Sequence, residues 1–215
     1  SIPNGDSADW TILNYDDSSW SEGNSGIGYG DDDDQTVISQ TIALFMRKTF
    51  EIQDVSLISR AVLDIDYDDG FIAYINGEEI ARDNVSGNFP SLNILADSNH
   101  EAVMYQGGLP SGFVINNWQE ILNQGWNVIA IQVHNFGSNS SDLSCIPFLT
   151  FGYNSVQNET RDPNPSMELP NSFLHTNFKL NSSSDMILLS DPQENIIDSI
   201  SFSNIPTDMS FGRQL

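Results

Sequence analysis

The chain has 215 residues and a mass of 23.8 kDa, enough for one sizeable domain or for a domain with a smaller appendix. Hydrophobic residues make up 39%, with 12 Phe, 6 Tyr and 4 Trp, which is material for a true core and excludes wholesale disorder. Against 30 acidic residues stand 7 basic ones, a formal charge of −23, which excludes nucleic-acid binding by phosphate neutralisation and makes anionic membranes repulsive.

Trp10 and Trp20 open the chain as expected core residues, followed by Gly26-Ile-Gly28-Tyr-Gly30 and the acidic run Asp31-Asp-Asp-Asp34. Ala43–Phe50 is the first expected strand. In Leu57–Tyr67, Leu57, Ala61, Leu63, Ile65 and Tyr67 alternate with Ser56, Arg60, Asp64 and Asp66, the period of a strand with one apolar face. Phe71–Ile75, Asn76-Gly77 and Glu79–Arg82 predict a hairpin, because both turn residues tolerate the positive φ of a type I′ turn. Asn116–Asn123 is the one expected helix, with Trp118, Ile121 and Leu122 on one face and Gly125 closing it. Asn127–His134, with Trp126 expected in the core, and Phe148–Tyr153 complete a set of short strands, a pattern that predicts an all-β jelly-roll β-sandwich. Residues 154–172, holding Pro163, Pro165 and Pro170, read as a linker or long loop between a domain at 1–153 and a β-rich segment at 173–215 with strands at Asp185–Ser190 and Asn195–Phe202.

No apolar run approaches the ~20 residues of a membrane helix, so membrane insertion is not expected. Starting at Ser1 without a leader pattern, the chain reads as a trimmed or mature piece. Cys145 is the one cysteine and reads as a small buried hydrophobe among Leu143, Ile146 and Phe148. Sequons occur at Asn84, Asn139, Asn158 and Asn181, in a chain whose Asn and Ser content produces such triplets by chance. Two lysines among many Asp and Asn fit a secreted or cell-surface bacterial protein.

Chemistry concentrates in acidic loops. Adjacent carboxylates at Asp31–Asp34 repel one another, and calcium, which accepts irregular oxygen sets, relieves that repulsion; a solvated acidic loop is the alternative. Asp68-Asp69-Gly70 is either ordinary turn chemistry or a rim pair that holds a cation or sugar hydroxyls. His134 with Ser140-Ser141-Asp142 has the composition of a catalytic triad but lacks a nucleophile elbow, so a rim histidine is the expectation. Tyr29, Tyr105 and Trp118 lie in or beside loops, where rings either stack on sugars or join the core.

In order, Asp9-Trp10, Tyr15-Asp-Asp-Ser-Ser-Trp20, Gly26-Ile-Gly-Tyr-Gly-Asp31, Met46–Phe50, Asp68–Gly77, Glu79–Arg82, Asn127–His134 and Ser140-Ser-Asp-Leu143 resemble galactose-binding-like jelly-roll modules of secreted bacterial multidomain proteins. The resemblance covers residues 9–152 and departs at Cys145-Ile-Pro147. Residues 173–213, with His175–Leu180, Ile187–Asp191 and Asp208–Arg213, resemble the second half of a bacterial lamin-tail domain. The Asp68-Asp69 pair is also similar to the Asp-Asp element with which protective-antigen-type lectin domains hold calcium and sugar, in a different strand arrangement. These resemblances imply a non-catalytic module that binds a polysaccharide or glycan at one rim, carries structural calcium and sits beside other domains of the same polypeptide. A spacer with no small ligand is the competing reading. The candidate carbohydrate-binding residues are Tyr29, Asp69, Arg82, Tyr105, Trp118 and His134; the candidate metal ligands are Asp31, Asp33, Asp68 and Asp142.

Overall fold

The computed structural model describes residues 9–30, 34–154, 184–190 and 195–203. The chain divides into two units, Ser1–Ser155 and Val156–Leu215. Among the described residues the first unit holds nine strands: β1 (Ile27–Tyr29), β2 (Thr36–Val37), β3 (Ala43–Ile52), β4 (Ile58–Tyr67), β5 (Gly70–Ile75), β6 (Glu78–Asp83), β7 (Ser111–Val114), β8 (Gly125–His134) and β9 (Leu143–Tyr153). One turn of helix, α1 (Trp118–Ile121), stands where the longer helix is expected. Among the described residues no helix is long and apolar enough to cross a membrane.

The strands form two sheets, β2-β1-β9-β4-β7 and β3-β8-β5-β6, antiparallel except for the β1–β2 pair. Ala61, Leu63, Ile65 and Tyr67 of β4 meet Ile129, Ile131 and Val133 of β8 in one buried cluster, so the sheets stack as a β-sandwich. Alternation thus sets the inward face of β4 as expected, with one correction at its start. Leu57 belongs to a short 3-10 turn, and the pairing with β9 shifts register between Ile58 and Arg60. The bulge turns Ile58 inward in place of Leu57.

A second cluster covers the outward face of the four-stranded sheet, where Trp10 packs on Ile72, Tyr74, Val85 and Ala130. Arg47 anchors the covering segment: its guanidinium donates to the carbonyls of Ile12 and Tyr15 and pairs with Asp17 at 3.2 Å. Trp10 and Trp20 join this cluster, but Trp126 does not. It is 58% exposed, because the cover reaches Ala130 and stops short of the start of β8.

The Asn76-Gly77 turn forms as its chemistry dictates, with φ of 52° and 95°. Strand registers place the starts of β3, β5 and β9 and the ends of β4, β6 and β8 at the opposite rim, since Ala43 and Gly70 both pair with His134, Phe71 with Asp83, and Tyr67 with Cys145. The second unit contains an antiparallel hairpin, β10 (Ser184–Ser190) with β11 (Ile196–Ser203), whose register runs from Ser184 opposite Ser203.

Glycines test how tightly the strands approach. A Cβ on Gly28 would lie 1.9 Å from the carbonyl oxygen of Leu143, so Gly28→Ala must break the β1–β9 pairing and is expected to cost about 3 kcal/mol or more. Gly87 has φ +91° with open space around it, so Gly87→Ala is expected to cost only the left-handed strain, about 1–2 kcal/mol. Denaturant melts of both variants check the contrast.

Candidate cation site at the loop rim

β4 carries Asp64, Asp66 and Asp68 on the side opposite its core residues, at the two-residue spacing of one strand face, or immediately past the strand's end in the case of Asp68. All three are buried. Loops following β6 and β8 close over this end of the strand, and their backbone amides need acceptors once water is excluded. Asp66 accepts from the N–H groups of Val103 and Met104, the latter at 2.7 Å, and so satisfies the start of the short 3-10 turn Met104–Gln106. Asp69 accepts from His100 N at 2.8 Å through Oδ1 and from Phe136 N at 2.6 Å through Oδ2. The His100 ring stacks on Tyr67 at 4.2 Å between centroids, with Nδ1 3.0 Å from the Tyr67 carbonyl oxygen. Asn84 ties the same region, donating to the Asp69 and Ser98 carbonyls and accepting from Ser98 Oγ.

Asp68 differs from both neighbours. It is 3% exposed, and no N–H of the described residues donates to its carboxyl. Carboxylate oxygens of Asp68, Glu101 and Asp142 all lie within 4.8 Å of one another, brought together from the β4–β5 turn, the loop after β6 and the loop before β9. Burial, with the charges of Asp69, Asp142 and Glu101 added, pushes Asp68 up to about 9. A hard divalent cation reverses that penalty, and an all-oxygen set with one buried and two more accessible carboxylates is the donor chemistry calcium takes. The Asp68–Asp69 peptide bond is cis.

Two of the metal candidates, Asp68 and Asp142, therefore meet, whereas Asp31 and Asp33 lie outside the described residues. Glu101 is the member of this cluster that the sequence did not single out. It stands alone between Asn99-His100 and Ala102-Val103, and nothing local distinguishes it from the chain's other carboxylates.

The structure disperses the candidate carbohydrate residues. Tyr29 is buried, its hydroxyl donating to Thr41 O and accepting from Asn135 Nδ2, and burial raises its pKa. Asp69 is engaged by the two loop amides. Arg82 forms a fork with Glu79 at 2.7 and 2.6 Å and donates to the carbonyls of Val85 and Gly87. Trp118 is partly buried against the core. His134 is fully buried, its Nδ1 2.8 Å from the Ile94 carbonyl oxygen and its ring edge-on to Phe45, and burial lowers its pKa. Tyr105 alone is exposed, at 47%, on the loop that carries Glu101. Phe136, equally exposed, stands on the loop that leads to Asp142.

No protein-family model and no curated protein sequence matches the chain. Solved structures similar to it include an α-L-rhamnosidase of Streptomyces avermitilis complexed with L-rhamnose, at 17% identity and TM-score 0.38 over 54% of this chain and 9% of that one. An α-L-rhamnosidase of Aspergillus terreus matches at 16% identity and TM-score 0.35 over 65% of this chain and 15% of that one. A β-D-mannosidase of Dictyoglomus thermophilum matches at 16% identity and TM-score 0.26 over 43% of this chain and 9% of that one. The chain thus spans a small part of each of these proteins. By its own sheets it is an all-β sandwich with a carboxylate-lined rim.

The raised Asp68 gives a signed pH dependence. Between the ordinary carboxylate range and about 9, folded Asp68 keeps a proton that unfolded Asp68 has released, so this group's contribution to stability falls as pH rises, by up to about 1.4 kcal/mol per pH unit. His134 acts in the opposite sense below its ordinary pKa, and the buried Cys145 thiol adds a fall of the same sign as pH nears 9, so the clean window is pH 7 to 8. Thermal melts in chelator are expected to show stability falling across that window, and Asp68→Asn is expected to flatten the fall.

Proposed function

We propose that the chain is a non-catalytic recognition module of a secreted or surface protein, which binds a glycan at the rim where Asp68, Glu101 and Asp142 hold a calcium ion. The observation that carries this reading is the buried Asp68 carboxyl, facing two further carboxylates and receiving no N–H from the described residues. Three carboxylates fill only part of the 6–8 oxygen positions of calcium, and the remainder suits ligand hydroxyls or water. Tyr105 and Phe136 offer exposed ring faces on the two loops that supply Glu101 and Asp142, and ring faces pack on the C–H faces of sugars. The galactose-binding-like resemblance of residues 9–152 supports the same reading, and the lamin-tail resemblance of 173–213 belongs with a neighbouring domain of one polypeptide. A hydrolytic role is disfavoured by His134, whose ring is buried against Ile94 and Phe45, while Ser141 Oγ donates to Asp142.

Calorimetric titration of calcium into chelator-treated protein is expected to show one site, and millimolar calcium is expected to raise the melting temperature. Asp142→Asn is expected to weaken binding at least about tenfold. A melting temperature unmoved by both chelator and calcium removes the metal. Titration of a polysaccharide panel with and without calcium is expected to give heat with calcium present; silence across the panel removes the glycan and leaves a spacer. That second reading is favoured by one finding, that Tyr29, Asp69, Arg82 and His134 are all engaged inside the fold.

A further inference from the structure

Resting on the cation reading above, we infer that Asp69 is a positioning residue that makes cation occupancy and the order of two ring-bearing loops a single equilibrium. Asp69 is not one of the three clustered carboxylates; it is buried beside them, covalently next to Asp68. Each of its oxygens holds a different loop. Oδ1 accepts from His100 N, the residue before Glu101, and Oδ2 accepts from Phe136 N, at the start of the loop that reaches Asp142. Asp66 holds the far side of Glu101 through Val103 and Met104, so Glu101 is bracketed on both sides by acceptors that belong to β4 and its turn.

Without a counter-ion, this arrangement works against itself. The bonds to Asp69 draw Glu101 and Asp142 together beside Asp68, and the crowding of their negative charges pushes the two loops apart. A divalent cation changes the sign of the second term and leaves the first unchanged. The two loops then close on the ion, and with them Tyr105 and Phe136 take fixed positions. Linkage makes the effect reciprocal: whatever loosens the loops weakens the cation, and the cation orders the loops. Removing a carboxylate that orients ligands without touching the metal typically lowers affinity 10–100-fold.

Two measurements on the full chain separate this inference from the site itself. Calcium affinity is read by calorimetry, and loop order by hydrogen exchange over residues 98–106 and 136–142. Calcium is expected to slow exchange in both segments of the unsubstituted protein. Asp69→Asn turns an amide N–H toward one of the two loop N–H groups; it is expected to weaken calcium 10–100-fold while the cation-free protein still melts cooperatively. Glu101→Gln, an exposed and conservative change, is expected to weaken calcium and, at the calcium concentration that protects the unsubstituted protein, to reduce protection of 98–106 and 136–142 together. If calcium binds and Asp69→Asn binds it within twofold of the original, or if neither loop gains protection, the positioning role is wrong and the cation site stands. If Asp69→Asn does not fold, Glu101→Gln decides alone: protection lost at 98–106 and kept at 136–142 shows two independent loops and overturns the inference. If the unsubstituted protein binds no calcium, the site falls first and the inference with it.

Discussion

An amide N–H removed from water must find an acceptor, and at one rim of this sandwich the acceptors are side chains of a single strand end. The loops after β6 and β8 have few ladder bonds of their own at this place; Val103, Met104, His100 and Phe136 donate to Asp66 and Asp69. Carboxylates serve well here because each has two oxygens and a full charge, so one side chain holds two backbone groups more strongly than a neutral amide would. Concentrating such acceptors at one place has an electrostatic consequence. Asp66 and Asp69 are matched by N–H donors, whereas Asp68 between them faces the charges of Asp69, Asp142 and Glu101. The candidate cation site is thus the remainder left by a loop-anchoring device.

The strong net negative charge sharpens that remainder. With 7 basic residues in the whole chain, and with Arg47 and Arg82 engaged by Asp17 and Glu79, little cationic side chain is left to neutralise a buried carboxylate. Neutralisation then comes from a proton or from a dissolved ion. A protein of this composition delegates to solvent species a role that other sequences give to Arg or Lys.

What was legible in the sequence followed from period and turn chemistry. The alternation of Ala61, Leu63, Ile65 and Tyr67 determines which face of β4 meets β8, and Asn76-Gly77 determines where the chain reverses. Trp126 was not legible, because its exposure depends on how far the segment around Trp10 extends across the sheet, a tertiary fact with no local trace. The same limit explains the site. Asp68 and Asp142 stand out beside turn-forming Asp, Ser and Gly residues, but their partner Glu101 arrives on a loop whose path is fixed by Asp66 and Asp69. Asp69 reads from the sequence as a carbohydrate-binding rim residue, and in the fold its two oxygens accept from loop amides.

Asn84 carries a last consequence. It is the acceptor of an N-x-S sequon, yet its amide nitrogen is committed to the carbonyls of Asp69 and Ser98 within the folded unit. An oligosaccharide attached there during passage through a eukaryotic secretory compartment would occupy the nitrogen before the rim could assemble. The glycosylated amide keeps one N–H for two carbonyls, so attachment at Asn84 and native packing of this rim compete for the same atom.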